Sequence, residues 1–309
     1  MKRFVAFALV PKQETPGIFQ RIRDIFGGRL RNIHDVIYKG ANLHTGSGLF
    51  WLPRKGCSSS GPHADACKNA SRTYGQLYTD TVQFGDLGDK KMQMANVPVG
   101  AANQIKYIDH GIVGLSLPDS KNPPPLFFQA VKNRPSDGRA DLTAYMKKCD
   151  KECEDGGAIT LGGFDDAHCV KSDIHWAPVV TGTSMWRFVV SGLKVNNSTR
   201  QVINQYAITD TGTSYIQIPT RLFKDVIAQL KAEKMKEYYV MPCDSKFELE
   251  FTINRKPFKA LLNQGYGSKC VVAIGDAGIF DMFLLGDAFS WCQVYDIQQK
   301  RVGFAPVKH

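Results

Sequence analysis

The chain is written in short apolar-rich runs closed by Gly, Pro, Asn or Asp, the punctuation of strands and turns. Tyr78 to Phe84, Met92 to Val99, Ala158 to Phe164 and Met185 to Val195 are the clearest, the last two built around Gly162-Gly163 and Gly192. Helical spacing is confined to a few places. Leu222, Phe223, Val226, Ile227 and Leu230 fall on one face of a helix predicted over Leu222 to Lys236, and Leu126 to Val131 and Leu142 to Lys147 have the spacing of short helices. Near the N-terminus Ile18, Phe19, Ile22, Ile25 and Phe26 form a helical stripe after Pro16-Gly17, with Arg21 and Arg23 beside it and Gly27-Gly28 as its stop. The pattern predicts a mostly β protein, and no low-complexity linker divides it.

One block of this pattern occurs twice. Asp210-Thr211-Gly212-Thr213-Ser214-Tyr215-Ile216-Gln217-Ile218-Pro219 aligns without a gap on His44-Thr45-Gly46-Ser47-Gly48-Leu49-Phe50-Trp51-Leu52-Pro53, with Thr, Gly and the closing Pro in common. Each copy is followed, 70 and 76 residues on, by two apolar residues and a glycine, Ile112-Val113-Gly114 and Leu284-Leu285-Gly286. A duplication of this length predicts two similar lobes that each offer one turn to a shared cleft. Asp210, on a tight Thr-Gly turn, is then placed among backbone N–H groups and small hydroxyls that can hold a carboxylate ionised.

With Leu161-Gly162-Gly163-Phe164-Asp165, Asp109 to Leu115, Leu285-Gly286-Asp287-Ala288-Phe289 and the ending Tyr295 to Ala305, the chain resembles the pepsin-like aspartic endopeptidases. The likeness runs from about His44 to the C-terminus, and the cysteine usage and the Trp291 to Asp296 stretch look nematode-type. It implies a bilobal, mostly β fold with a truncated N-terminal lobe: residues 1–38 as a signal- or propeptide-like segment, 39–175 as the first lobe and 176–309 as the second. It implies peptide-bond hydrolysis by two carboxylates that share a proton and hold a water, with no cofactor and no metal. Asp210 matches one of them, His44 stands where the other belongs, and Thr45, Gly46, Ser47, Thr211, Gly212 and Thr213 support the pair.

A second departure lies at Tyr74-Gly75. There the text that precedes the family's flap hairpin, Ser71-Arg72-Thr73-Tyr74, joins directly to the text that follows it, Gly75 to Val82. The resemblance therefore implies a homologue with catalysis lost or strongly reduced. Two alternatives stand beside it: an active histo-aspartic endopeptidase working at acidic pH, with Asp210 as base and His44 as electrostatic partner, and a non-catalytic secreted interaction protein.

Composition narrows the setting. Eight cysteines, an even number, fit an oxidising compartment. The family resemblance implies bridges at Cys57 with Cys67 and at Cys243 with Cys270, and leaves the pairing of Cys149, Cys153, Cys169 and Cys292 open. Cys149 and Cys153 are not spaced as zinc ligands and have no second pair. Asn69, Asn196 and Asn197 head N-glycosylation triplets. Lys2 and Arg3 before Phe4 to Val10 have the charge order of a short secretory signal, with a first β-strand as the competing reading. Secretion, or a lysosomal or gut-lumen location, is expected. The net charge of +10 is spread along the chain without a basic run or interleaved aromatics, which argues against nucleic acid as a partner. No apolar run reaches the roughly 18 residues of a membrane span. The expected partner is a polypeptide substrate or peptide segment, and the expected state a monomer.

Overall fold

The computed structural model describes residues 5–11, 20–21, 41–53, 74–84, 92–104, 111–118, 123–132, 141–146, 157–235, 238–245, 247–260, 263–266, 269–289 and 291–308. Four sheets make up most of them. The first-lobe sheet runs in the order Ala41–His44, Gly111–Gly114, Trp51–Pro53, Met92–Gln104, Tyr74–Phe84. A seven-stranded sheet of the second lobe runs in the order Lys256–Ala260, Leu249–Ile253, Arg187–Val195, Ser198–Thr209, Phe283–Leu285, Ile216–Ile218, Ile274–Asp276.

These two sheets repeat one motif. In the first, Ala41–His44 runs parallel to Gly111–Gly114, which pairs antiparallel with Trp51, and Trp51–Pro53 runs parallel to Gly100 to Ala102. In the second, Ala207 to Thr209 runs parallel to Phe283–Leu285, which pairs antiparallel with Ile216 and Gln217, and Ile216–Ile218 runs parallel to Ile274–Asp276. The duplicated text is thus a duplicated fold, and both Thr-Gly turns sit at the same place in it. The glycine after each apolar pair has a steric reason: a Cβ on Gly114 would lie 2.5 Å from Leu49 N, and one on Gly286 would run into the Thr213 carbonyl.

A third sheet joins the ends of the chain, in the order His175–Pro178, Arg301–Ala305, Cys292–Asp296, Asp141–Met146, Gly157–Leu161, Val5–Pro11, Gln20–Arg21. The apolar run near the N-terminus is a strand here, with Val5 to Leu9 antiparallel to Leu161 to Gly157. Beneath the sheets lies one large core, in which Phe188, Phe251, Phe258, Phe283, Phe289 and Phe304 are fully buried and several meet edge to face. Trp186, also fully buried, ties the lobes by donating its Nε1–H to Leu115 O at 2.9 Å.

Three helix expectations are corrected. Asp141–Met146 is a strand: Leu142, Ala144 and Met146 enter the core with period two, while Thr143 and Tyr145 point the other way, to Gly163 O and to the His168 ring. The helix Thr220–Leu230 forms, but Lys231 adopts the left-handed conformation at φ 52° and caps it, so Glu233–Met235 is a strand. Of the stripe from Ile18 to Phe26, Gln20–Arg21 pairs with Val10 and Pro11 as a short strand, and the remainder lies outside the described residues. The helix predicted at Leu126 to Val131 is found at Leu126–Lys132.

Cys243 pairs with Cys270, and Cys169 pairs with Cys292 across 123 residues. Cys57, Cys67, Cys149, Cys153 and Asn69 lie outside the described residues. Asn196 sits at φ 53° in the turn between Arg187–Val195 and Ser198–Thr209, its amide accepting from Glu248 N and donating to Gln229 O, whereas Asn197 is exposed. Among the described residues, no helix is long and apolar enough to cross a membrane and no His, Cys, Asp or Glu cluster has the form of a metal site.

Candidate active site

The second turn is built around the Asp210 carboxylate. Asp210 N bonds Leu285 O at 3.1 Å, which fixes the aspartate at the end of its strand, and Thr213 N bonds Asp210 O at 3.1 Å, which closes the turn. Inside it Gly212 N–H donates to Oδ1 at 3.0 Å and Thr213 Oγ1 donates to Oδ2 at 2.7 Å. A further donor comes from the other lobe, Gly46 N–H to Oδ1 at 3.2 Å. That approach requires glycine, because a Cβ at position 46 would lie 2.7 Å from the Asp210 Cγ. Asp210 is 4 % exposed, so these donors replace water and make the hydrogen-bond complement of an ionised carboxylate.

The two turns are locked by their threonines. Thr45 N–H donates to Thr211 Oγ1 at 3.2 Å and Thr211 N–H donates to Thr45 Oγ1 at 3.1 Å, while Thr45 Oγ1–H donates to Thr209 O at 3.0 Å. The near-twofold exchange is what the duplicated text encodes: the same residue stands after His44 and after Asp210, and each uses its hydroxyl on the other's backbone. All of these groups are buried, so the lobes cannot separate here without stranding polar atoms. Ser47 contributes its carbonyl, which accepts from Ser116 N at 2.9 Å.

His44 ends the strand Ala41–His44, opposite Gly114, as Asp210 follows Thr209 opposite Leu285. Its backbone stands where the repeat requires, and its side chain is outside the described part of the structure. The site thus brings together Thr45, Gly46, Thr211, Gly212 and Thr213 around Asp210.

Two neighbours carried no assigned role in the sequence. Asp287 is 4 % exposed, and among the described residues neither of its carboxyl oxygens has a hydrogen-bond partner. Burial, and then the negative charge of Asp210, hold its carboxyl in the protonated form well above the ordinary value of 3.8. Tyr295 receives a hydrogen bond from Thr209 Oγ1 at 2.8 Å and donates to Gln293 Oε1 at 2.7 Å, a chain that braces the strand leading to Asp210. Burial pushes the Tyr295 phenol up, so it remains a neutral donor. The motif Leu285-Gly286-Asp287 marked this place in the text, but only the fold shows that its acid is dry.

Two β lobes that each lend a hydroxyl-lined turn to one shared site have the architecture of an aspartic protease. The chain belongs to the eukaryotic aspartyl protease family, whose model matches residues 68–307, a span that begins after the first turn. It is 28 % identical over 250 residues to aspartic protease 2 of Necator americanus, covering 74 % of this chain and 57 % of that protein. It is 30 % identical over 267 residues to aspartic protease 17 of Caenorhabditis elegans, covering 76 % and 64 %, and 26 % identical over 297 residues to pepsin-2B of Gadus morhua, covering 85 % and 90 %. The chain thus spans about three fifths of the length of the two nematode relatives.

Proposed function

We propose that this chain is a peptide-binding member of the family in which Asp210 is the one carboxylate of the cleft, His44 faces it in place of a second, and cleavage of peptide bonds is lost or strongly reduced. The observation that carries the reading is the intact seat of Asp210, ligated from both lobes, beside a strand whose last residue is His44. Two carboxylates about 3 Å apart share one proton, so that one can take a proton from the attacking water while the other gives one to the carbonyl oxygen. An imidazole opposite Asp210 forms an imidazolium–carboxylate pair instead, in which each charge stabilises the other and Asp210 becomes a weaker base.

A missing flap adds to the deficit, since a lid excludes water and completes the site around the substrate. Its absence is supported by the sequence join at Tyr74-Gly75, which falls at the start of the strand Tyr74–Phe84 that pairs along Met92–Gln104. The occupants are polypeptide segments in extended form, and the two disulfides support a secreted or luminal setting. Asn197, exposed on its turn, is the better placed glycan acceptor of its pair.

The test combines binding and cleavage at acidic pH. A statine-type peptide, whose tetrahedral hydroxyl mimics attack on the carbonyl, is expected to bind wild type and to lose binding in Asp210→Ala, with little digestion of a denatured protein by either. Brisk digestion by wild type, blocked by that peptide and abolished in Asp210→Ala, would overturn the reading in favour of a histo-aspartic endopeptidase. His44→Asp separates the two deficits: no gain of cleavage identifies the missing lid as the limiting one. A partner captured equally by wild type and Asp210→Ala, and lost on deleting residues 11–38, would favour a non-catalytic interaction role.

A further inference from the structure

The sheet that ends at Asp210 buries one face wholly, while the other is buried at Ile208 and at least part exposed at Arg187, Val189 and Tyr206. The first carries Phe188, Val190, Ala207, Phe283, Leu285, Ile216 and Ile218 into the core. The register puts Arg187, Ile208, Leu284 and Gln217 in a row across the other face, because Arg187 pairs with Ile208, Ile208 with Leu284, and Leu284 with Gln217. By strand alternation Tyr206, Ile208 and Asp210 project on that same side, and Asp210 N continues the ladder to Leu285 O. The row therefore lies on the face from which the Asp210 side chain emerges.

Arg187 is the anomaly in this row. Its guanidinium lies over the Tyr206 ring at 4.8 Å, and among the described residues its buried Nε has no hydrogen-bond partner and no carboxylate lies in ion-pair range of it. The buried Nε costs folding free energy, and the donors left for an incoming group are the terminal Nη N–H groups of this half-buried guanidinium. Arg is also the side chain best shaped to take a carboxylate through two parallel N–H donors, and the aromatic ring beneath holds its plane fixed.

We infer that Arg187 is a specificity-determining residue that receives an acidic side chain of the extended peptide held at Asp210. This rests on the peptide-cleft reading above and names the chemistry of its occupant. Tyr206 precedes Asp210 by four residues of strand, about 13 Å at roughly 3.3 Å per residue. An extended ligand has the same rise, so the acid stands three or four residues from the statine position on one side. Val189, 48 % exposed beside Tyr206, leaves that end of the face open to solvent.

The test uses statine-type peptides with Asp at one of positions two to five on either side of the statine, each compared with its Asn isostere by fluorescence anisotropy. On wild type, Asp at position three or four on one side is expected to improve binding by about tenfold over Asn, the worth of one charge-assisted contact in a half-buried place. Arg187→Gln and Arg187→Met are expected to bind both peptides alike, at the affinity wild type shows for Asn, while Arg187→Lys retains part of the difference. Binding of all peptides with no Asp advantage at any position overturns this inference and leaves the cleft reading standing. No binding of any peptide overturns both. An Asp advantage that persists in the Gln and Met variants assigns the effect to another cation and overturns the role of Arg187.

Discussion

Thr45→Val removes one oxygen and almost no volume, and so isolates the hydroxyl exchange that joins the two turns. Thr45 Oγ1 accepts from Thr211 N–H at 3.1 Å and donates to Thr209 O at 3.0 Å, and Thr45, Thr209 and Thr211 are all at most 3 % exposed. A buried N–H that loses its acceptor costs about 1–3 kcal/mol, and a carbonyl with a second lone pair costs less, so the variant is expected to lose about 2–4 kcal/mol. The assay is a thermal melt, in which such a loss lowers the midpoint by roughly 2–4 °C per kcal/mol for a chain approaching this size. Thr211→Val takes the acceptor from Thr45 N–H instead. Because both changes damage one network, the double variant is expected to lose less than the two singles together. Thr45→Ser keeps the hydroxyl and is expected to stay near wild type. A Thr45→Val protein within about 0.5 kcal/mol of wild type, or strict additivity with Thr211→Val, would refute the claim that this exchange holds the lobes together.

Three further outcomes follow from the geometry. Gly46→Ala is expected to abolish binding of the statine-type peptide, because its methyl would sit 2.7 Å from the Asp210 Cγ; unchanged affinity in that variant would mean the lobes do not meet as described. Asp287 has a raised carboxyl, so the stability it contributes is fully present below the unfolded value near 3.8 and is lost as pH rises towards the folded one. Asp287→Asn is therefore expected to gain on wild type in melts as pH rises from about 4 towards neutrality, and parallel pH curves for the two proteins would exclude a dry, protonated acid there. Replacing Cys169 and Cys292 by Ser opens a link across 123 residues and is expected to cost about 2–5 kcal/mol, read by chemical denaturation; a loss below about 1 kcal/mol would show that the bridge constrains little.

Much of the fold was legible because duplication writes a constraint twice. Asp210-Thr211-Gly212 and His44-Thr45-Gly46 announce two equivalent turns, and a glycine after each apolar pair announces a strand that must pass close beneath one. The misread segment at Asp141–Met146 shows where such reading stops: six residues are too few to distinguish a period of two from one of 3.6, and sheet neighbours on both sides decide the matter. Likewise Thr220–Leu230 ends where Lys231 turns left-handed and the chain enters another sheet, although the apolar spacing itself carries no stop there.

The chain's residue types alone pointed to the seat of a carboxylate, since the order acid, hydroxyl, glycine, hydroxyl at Asp210 to Thr213 is matched, but for the acid, at His44 to Ser47. Only the assembled molecule decided that Cys169 meets Cys292, that Asp287 is buried, that Val5–Pro11 closes a sheet begun by the C-terminal strands, and that among the described residues Arg187 has no acid beside it. These are properties of what surrounds a group rather than of the group. Burial, pairing and charge isolation depend on residues far along the chain, 123 positions in the case of the Cys169–Cys292 bridge, and local pattern carries no term for them.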